Sequence, residues 1–221
     1  MILEIAEKVP SELRRVSGSV FYTGRAAYAG KAPVYILGAN PGGDPDQQSS
    51  ETIQGHVDFV LNQAPNLWSA YCDECWTGRP VGQAPLQRRV QHLLSKLGLD
   101  TRQVPASNVV FSRSRRIEHL AGDYRQLAEL CWPVHDAVLN NLQPKAVICF
   151  GEKAATEVKI RTGATLQIDR FVEQNGRHWT SSAWRSASGL IVFQLTHPAV
   201  ADWISPDTDP SDMVSRVLAN Y

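Results

Sequence analysis

Four strand-length runs of nearly continuous apolar residues punctuate the chain: Pro33–Leu37 (PVYIL), Asn108–Ser112 (NVVFS), Ala146–Phe150 (AVICF) and Leu190–Leu195 (LIVFQL). A run without polar alternation is how a strand buried on both faces reads. Helical periodicity fills the intervals. Thr52–Leu61 and Leu86–Leu97 lie between the first two runs, Tyr124–Leu142 between the second and third, and Glu152–Ile160 after the third. Strands alternating with helices predict a three-layer α/β/α fold around a central, mainly parallel four-stranded sheet with right-handed crossovers. Asn175-Gly176, flanked by Phe171-Val172 and His178-Trp179, predicts a small hairpin inserted before the fourth run. No repeat, low-complexity tract or linker interrupts the pattern, so one domain spanning 1–221 is expected.

In an open parallel sheet, ligands bind beyond the carboxyl ends of the strands. The residues that follow each run are therefore the candidate site. Gly38-Ala39-Asn40-Pro41-Gly42-Gly43 follows the first run. The second opens with Asn108 and is followed by Arg113-Ser114-Arg115-Arg116; Gly151-Glu152-Lys153 follows the third, and Thr196-His197-Pro198-Ala199 the fourth.

Composition narrows the class. At 221 residues, 43% hydrophobic and 20% charged, with a mean hydropathy of −0.25, the chain is neither disordered nor fibrous. No run of apolar residues is long enough to span a membrane, and Glu4, Glu7 and Lys8 break any signal-peptide core, so a cytoplasmic protein is expected. Formal net charge is zero, which on its face disfavours nucleic acid. The zero is a cancellation: residues 1–31 carry +2, 32–78 carry −6, 79–116 carry +7 and 117–221 carry −3. The basic stretch, ending in Arg113, Arg115 and Arg116, is a candidate phosphate contact.

Taken together, these motifs resemble the uracil-DNA glycosylase superfamily. Gly38-Ala39-Asn40-Pro41-Gly42 is similar to the water-activating G-x-N-P-G motif of its mismatch-specific and single-strand-selective branches. His197-Pro198-Ala199 is similar to the second superfamily motif, and Asn108-Val109-Val110 to the base-reading strand of the thermostable branch. The resemblance runs from about Pro33 to Ala199, in order. It implies a monofunctional DNA glycosylase that acts on an extruded uracil or 5-substituted pyrimidine, as a monomer with no cofactor and DNA as its partner. Asn40 and His197 would be catalytic, and Asn108, Gly38, Ala39, Gly42 and Gly43 would hold the base. Pro198, Ala199 and Val200 would join the three arginines at the DNA.

The chemistry suits these residue types independently. Breaking an N-glycosidic bond develops an oxocarbenium-like sugar and a base anion. The Asn40 amide can orient a water, His197 can donate to the base carbonyl, and Asn108 offers both a donor and an acceptor to a pyrimidine edge. Each residue also has an ordinary structural reading: an Asx turn for Asn40, a loop histidine for His197, a strand start for Asn108.

Three departures from the superfamily pattern matter. The stacking aromatic is not obvious: Phe59 is the nearest Phe, although its spacing with Val57 and Val60 also fits core packing, and Trp68, Tyr71 and Trp76 are further candidates. Cys72 and Cys75 follow the first motif, whereas the iron–sulfur branches place C-x-x-C before it, so no metal is expected. Gly42 stands where strict uracil enzymes carry a tyrosine that blocks C5 of the base. That opening leaves room for hydroxymethylated pyrimidines or the glycosylated cytosines of phage DNA, whose excision would be an antiviral act. A catalytically idle DNA-binding relative is the remaining alternative.

Overall fold

In the computed structural model, which describes residues 1–221, six strands form one sheet in the order β2-β1-β3-β6-β5-β4. The strands are β1 (Val34–Gly38), β2 (Ala106–Asn108), β3 (Ala146–Phe150), β4 (Ala164–Val172), β5 (Thr180–Ser186) and β6 (Ile191–Leu195). The first four in spatial order run parallel. β5 and β4 add antiparallel to β6.

The apolar runs are continuous because successive side chains enter two different cores. Tyr35 and Leu37 of β1, with Val147 and Cys149 of β3, pack beneath α1 (Ile2–Glu7), α2 (Ile53–Asn62), α5 (Tyr124–Leu142) and α6 (Glu152–Thr162). Val34 and Ile36, with Ile148 and Phe193, pack beneath α4 (Pro85–Lys96) and α7 (Ser211–Asn220). Each fully buried aliphatic side chain contributes about 1.5–3 kcal/mol, so neither face tolerates polar alternation. The three-layer α/β/α architecture follows.

The sheet has six strands rather than four. The predicted hairpin is long enough to extend the sheet, but β4 is an edge strand with only Ala164 buried and Thr165, Leu166 and Gln167 exposed in succession, and its pairing with β5 is irregular, so it offers no apolar run. β2 is also displaced from the expected Asn108–Ser112. It pairs with β1 through Ala106, Ser107 and Asn108, after which Val109 and Val110 donate to the carbonyls of Gly38 and Ala39 in the loop beyond β1. Phe111 is then held by the N-terminal segment, its carbonyl accepting from Ser19 N–H. The apolar stretch stays buried while leaving the sheet.

β1 connects to β2 on one side and leads to β3 on the other, so the switch point of the topology lies between β1 and β3. Ligand clefts open at such points.

Candidate active site

A cleft of about 1170 Å³ opens at that point, at the carboxyl ends of β1, β2, β3 and β6. It exceeds the roughly 300–1,000 Å³ usual for small-molecule sites. Gly38, Ala39, Asn40, Gly42, Gly43, Asn108, Arg113, Arg115, Arg116, Gly151, Glu152, Lys153, His197 and Ala199 all line it, so the loops after four separate strands bring the sequence-derived residues together. Pro198 and Val200 lie outside the lining, in the same loop as His197.

Asn40 is held in one orientation. Its Nδ2 donates to the Pro41 carbonyl (2.9 Å) and to Ser114 Oγ (2.9 Å), and Ser114 Oγ donates in turn to the Arg116 carbonyl (2.7 Å). The single hydroxyl proton of Ser114 is thereby committed, so Ser114 can only accept from Asn40. Asn40 Oδ1 is left as the free acceptor, able to accept a hydrogen bond from a water and so turn a lone pair of that water outward. Ser114 N–H also donates to the Pro41 carbonyl (3.1 Å), which pins the loop itself. Ser114 is a positioning residue that sequence reasoning passed over between its arginine neighbours. Ser114→Ala is expected to slow base release about tenfold at saturating DNA, the loss of one hydrogen bond, with little change in DNA affinity; single-turnover kinetics and a binding titration check both.

Asn108 stands at the end of β2 directly abreast of Gly38 at the end of β1. A Cβ on Gly38 would lie 2.1 Å from Asn108 Oδ1, so glycine is required for the amide to lie across the strand end into the cleft. Tyr22 borders the same amide; its hydroxyl accepts from Ser19 Oγ (3.0 Å), and burial raises its pKa.

His197 follows β6. Its Nδ1 accepts from Ala199 N–H (3.1 Å), which places the proton of the neutral ring on Nε2. Burial lowers its pKa below 6.5, so it is a neutral donor at pH 7. The ring lies against Gly151, which turns the chain out of β3 with φ +83° and would set a Cβ only 3.5 Å from the imidazole. Phe150 meets it edge-on at 6.4 Å.

The remaining wall comes from the N-terminal segment, α2 and the stretch that follows α2. Tyr22 stacks on Tyr71 (5.9 Å), and Trp76 meets both edge-on (6.2 and 5.6 Å). Trp76 Nε1 donates to Glu74 (2.6 Å), whose carboxyl pKa is raised by burial. His56, pushed down to about 4 by burial and the Arg113 charge, completes this wall. Tyr71 and Trp76 had been candidates from their composition; Tyr22, His56 and Glu74 carried no motif.

Phe59 is not brought to the cleft. α2 turns Ile53, Val57 and Val60 into the core, and Phe59 packs beside them, edge-on to the buried Trp68 at 5.3 Å. The basic run is also more structural than its charge suggested. Arg113 donates to Ser17 Oγ, the Gly42 carbonyl and Glu51, and Arg115 pairs with Asp44. Arg102 pairs with Asp73 (2.6 Å). Arg116 and Lys153 line the cleft with no carboxylate partner. The four cysteines are free thiols, Cys131 and Cys149 buried in the core, and no group of three or more His, Cys, Asp or Glu side chains is placed to hold a metal ion. No helix is long and apolar enough to cross a membrane.

Comparison with known proteins identifies a family. No curated protein is significantly similar to the chain. Residues 26–214 match the family model of the uracil DNA glycosylase superfamily, a span that begins before β1 and ends within α7 and so contains all four cleft loops. With most of its length matched and its cleft at the switch point of the sheet, the chain belongs to the uracil DNA glycosylase superfamily, whose general activity is excision of a base from DNA.

Proposed function

We propose that the protein is a monofunctional pyrimidine-DNA glycosylase whose pocket accepts a base with a large polar substituent at C5. The observation that carries this reading is the space over Gly42: a Cβ built there meets nothing within 4 Å, in a cleft of about 1170 Å³. A bare pyrimidine leaves most of that volume to water. Gln48, Glu51, Arg113 and Glu74 line the cleft with acceptors and donors, which suit a hydroxymethyl or glycosyl group better than an aliphatic one. Such bases occur in phage DNA, so destruction of invading genomes is the role this substrate class fits.

Asn40 Oδ1 orients the attacking water at the sugar carbon, Asn108 holds the base edge, and His197 Nε2–H donates to the base oxygen as charge collects there. No base of high pKa is required, since the sugar is already cationic when water reaches it. Arg116 and Lys153 hold phosphates at the rim.

Gly42→Tyr tests the substrate reading. Gly42 has no positive φ, so tyrosine is accommodated by the backbone. Release of a glycosylated hydroxymethylcytosine should fall about 10- to 100-fold, the cost of overpacking the pocket, while any release of uracil is spared. Equal loss on both bases, or no loss on the bulky one, counts against the open-pocket reading.

A further inference from the structure

The tip of the β4–β5 hairpin is an ordered element outside the cleft. β5 runs antiparallel to β6, with Ser182 abreast of Gln194, so the hairpin tip reaches the sheet edge where the His197 loop begins. Thr196 N–H donates to Ser181 Oγ (3.0 Å) at that junction.

The tip is built to hold its shape. Glu173 is 0% exposed and accepts from Asn175 Nδ2 (2.9 Å) and Arg177 Nη2 (3.2 Å). Arg177 reaches across with Nη1 to the Val200 carbonyl (3.0 Å), and from the other side Arg89 donates to the Pro198 carbonyl (2.8 Å). Two arginines from separate elements thus clamp the His197 loop. The Arg177 guanidinium also lies 4.2 Å from the centre of the Trp179 ring, so one side of the indole is backed by a cation. Trp179 is nevertheless 40% exposed, and Val200, tied to it through Arg177, is 56% exposed.

An indole held by a cation and 40% exposed is a platform on which a nucleobase can stack with little ordering cost. Val200 belongs to the loop that carries the catalytic histidine, so the platform is continuous with the DNA face proposed above. Everting one nucleotide leaves its partner base without a stacking neighbour or a pairing partner. We infer that Trp179 stacks on the base opposite the everted nucleotide, with Arg177 holding the indole and the Val200 loop in register. The inference rests on the glycosylase reading for its ligand and adds to it a contact on the opposite strand.

The test uses a duplex with 2-aminopurine opposite a tetrahydrofuran abasic analogue, which requires no knowledge of the excised base. Trp179→Ala and Trp179→Phe leave both Arg177 bonds available. The wild-type protein should quench 2-aminopurine on binding. The Trp179→Ala complex at saturation should be at least about threefold brighter, with affinity about tenfold weaker, and Trp179→Phe should fall between. A Trp179→Ala complex as tight and as quenched as the wild type overturns the inference while leaving the glycosylase reading intact. If the wild-type protein does not bind the duplex at low salt, the glycosylase reading fails and the inference with it.

Discussion

Asn40→Ala should lower the single-turnover rate of base release by about a thousandfold, within the range that a positioned proton-transfer or water-orienting group supplies. Alanine removes an acceptor whose direction is fixed by the surrounding bonds. The fold should survive, because the Pro41 loop keeps its own tie through Ser114 N–H. Asn40→Asp separates orientation from simple presence of an oxygen. It retains an acceptor but loses the donors to the Pro41 carbonyl and Ser114, so it should recover part of the rate and not all of it. Equal rates for Asn40→Ala and wild type would remove Asn40 from the mechanism.

His197→Ala should cost about 100- to 1,000-fold, the usual consequence of deleting one preorganised donor at a site of developing negative charge. The pH profile carries a further signature. Burial holds the His197 pKa below 6.5, so the ring is neutral at pH 7 and takes up a proton only at lower pH. That proton goes to Nδ1, where it opposes the Ala199 N–H and breaks the bond that aims Nε2 at the base. The rate should therefore hold through pH 7 and fall on an acid limb centred below the ordinary histidine value. The residual activity of His197→Ala should lack that limb. An unchanged acid limb in the variant would assign it to another group, and His56, pushed down to about 4, is the nearby alternative.

The parts of the fold that were readable were those whose physics is local. β1, β3 and β6 bury both faces and so appear as unbroken apolar runs; α5 matches its periodicity from Tyr124 to Leu142. β4 was hidden because an edge strand exposed at consecutive positions, with an irregular register, has neither an apolar run nor clean alternation. Within the site, Asn40, Asn108 and His197 could be found because they follow strands in turn-rich motifs. Tyr22, His56, Glu74 and Ser114 reach the cleft from an N-terminal segment, a helix and loops, by contacts that no spacing encodes. Phe59 was misplaced because a helix position beside Val60 and two from Val57 lies at the border of the buried face, where a side chain can turn to the core or to a cleft.

Charge was legible only by segment, and its meaning changed in three dimensions. The acidic stretch after β1 and the basic stretch before Arg116 fold against each other, through Arg102–Asp73, Arg113–Glu51 and Arg115–Asp44. Much of the local excess that suggested DNA binding is thus neutralised within the protein and shapes the cleft wall. The cations left for phosphates at the cleft are few, chiefly Arg116 and Lys153, so affinity for undamaged DNA should be weak and salt-sensitive.

Asn40, fixed by Ser114, is proposed to drive hydrolysis of a modified pyrimidine nucleotide within DNA. The direct measurement is formation of alkali-labile abasic sites in oligonucleotides carrying uracil, 5-hydroxymethyluracil or glycosylated hydroxymethylcytosine, for the wild type beside Asn40→Ala. Strand breaks after alkali are expected at the modified position with the wild type, fastest on the bulkiest base, and almost none with Asn40→Ala. No breaks on any of the three substrates, or equal breaks with both proteins, would contradict it.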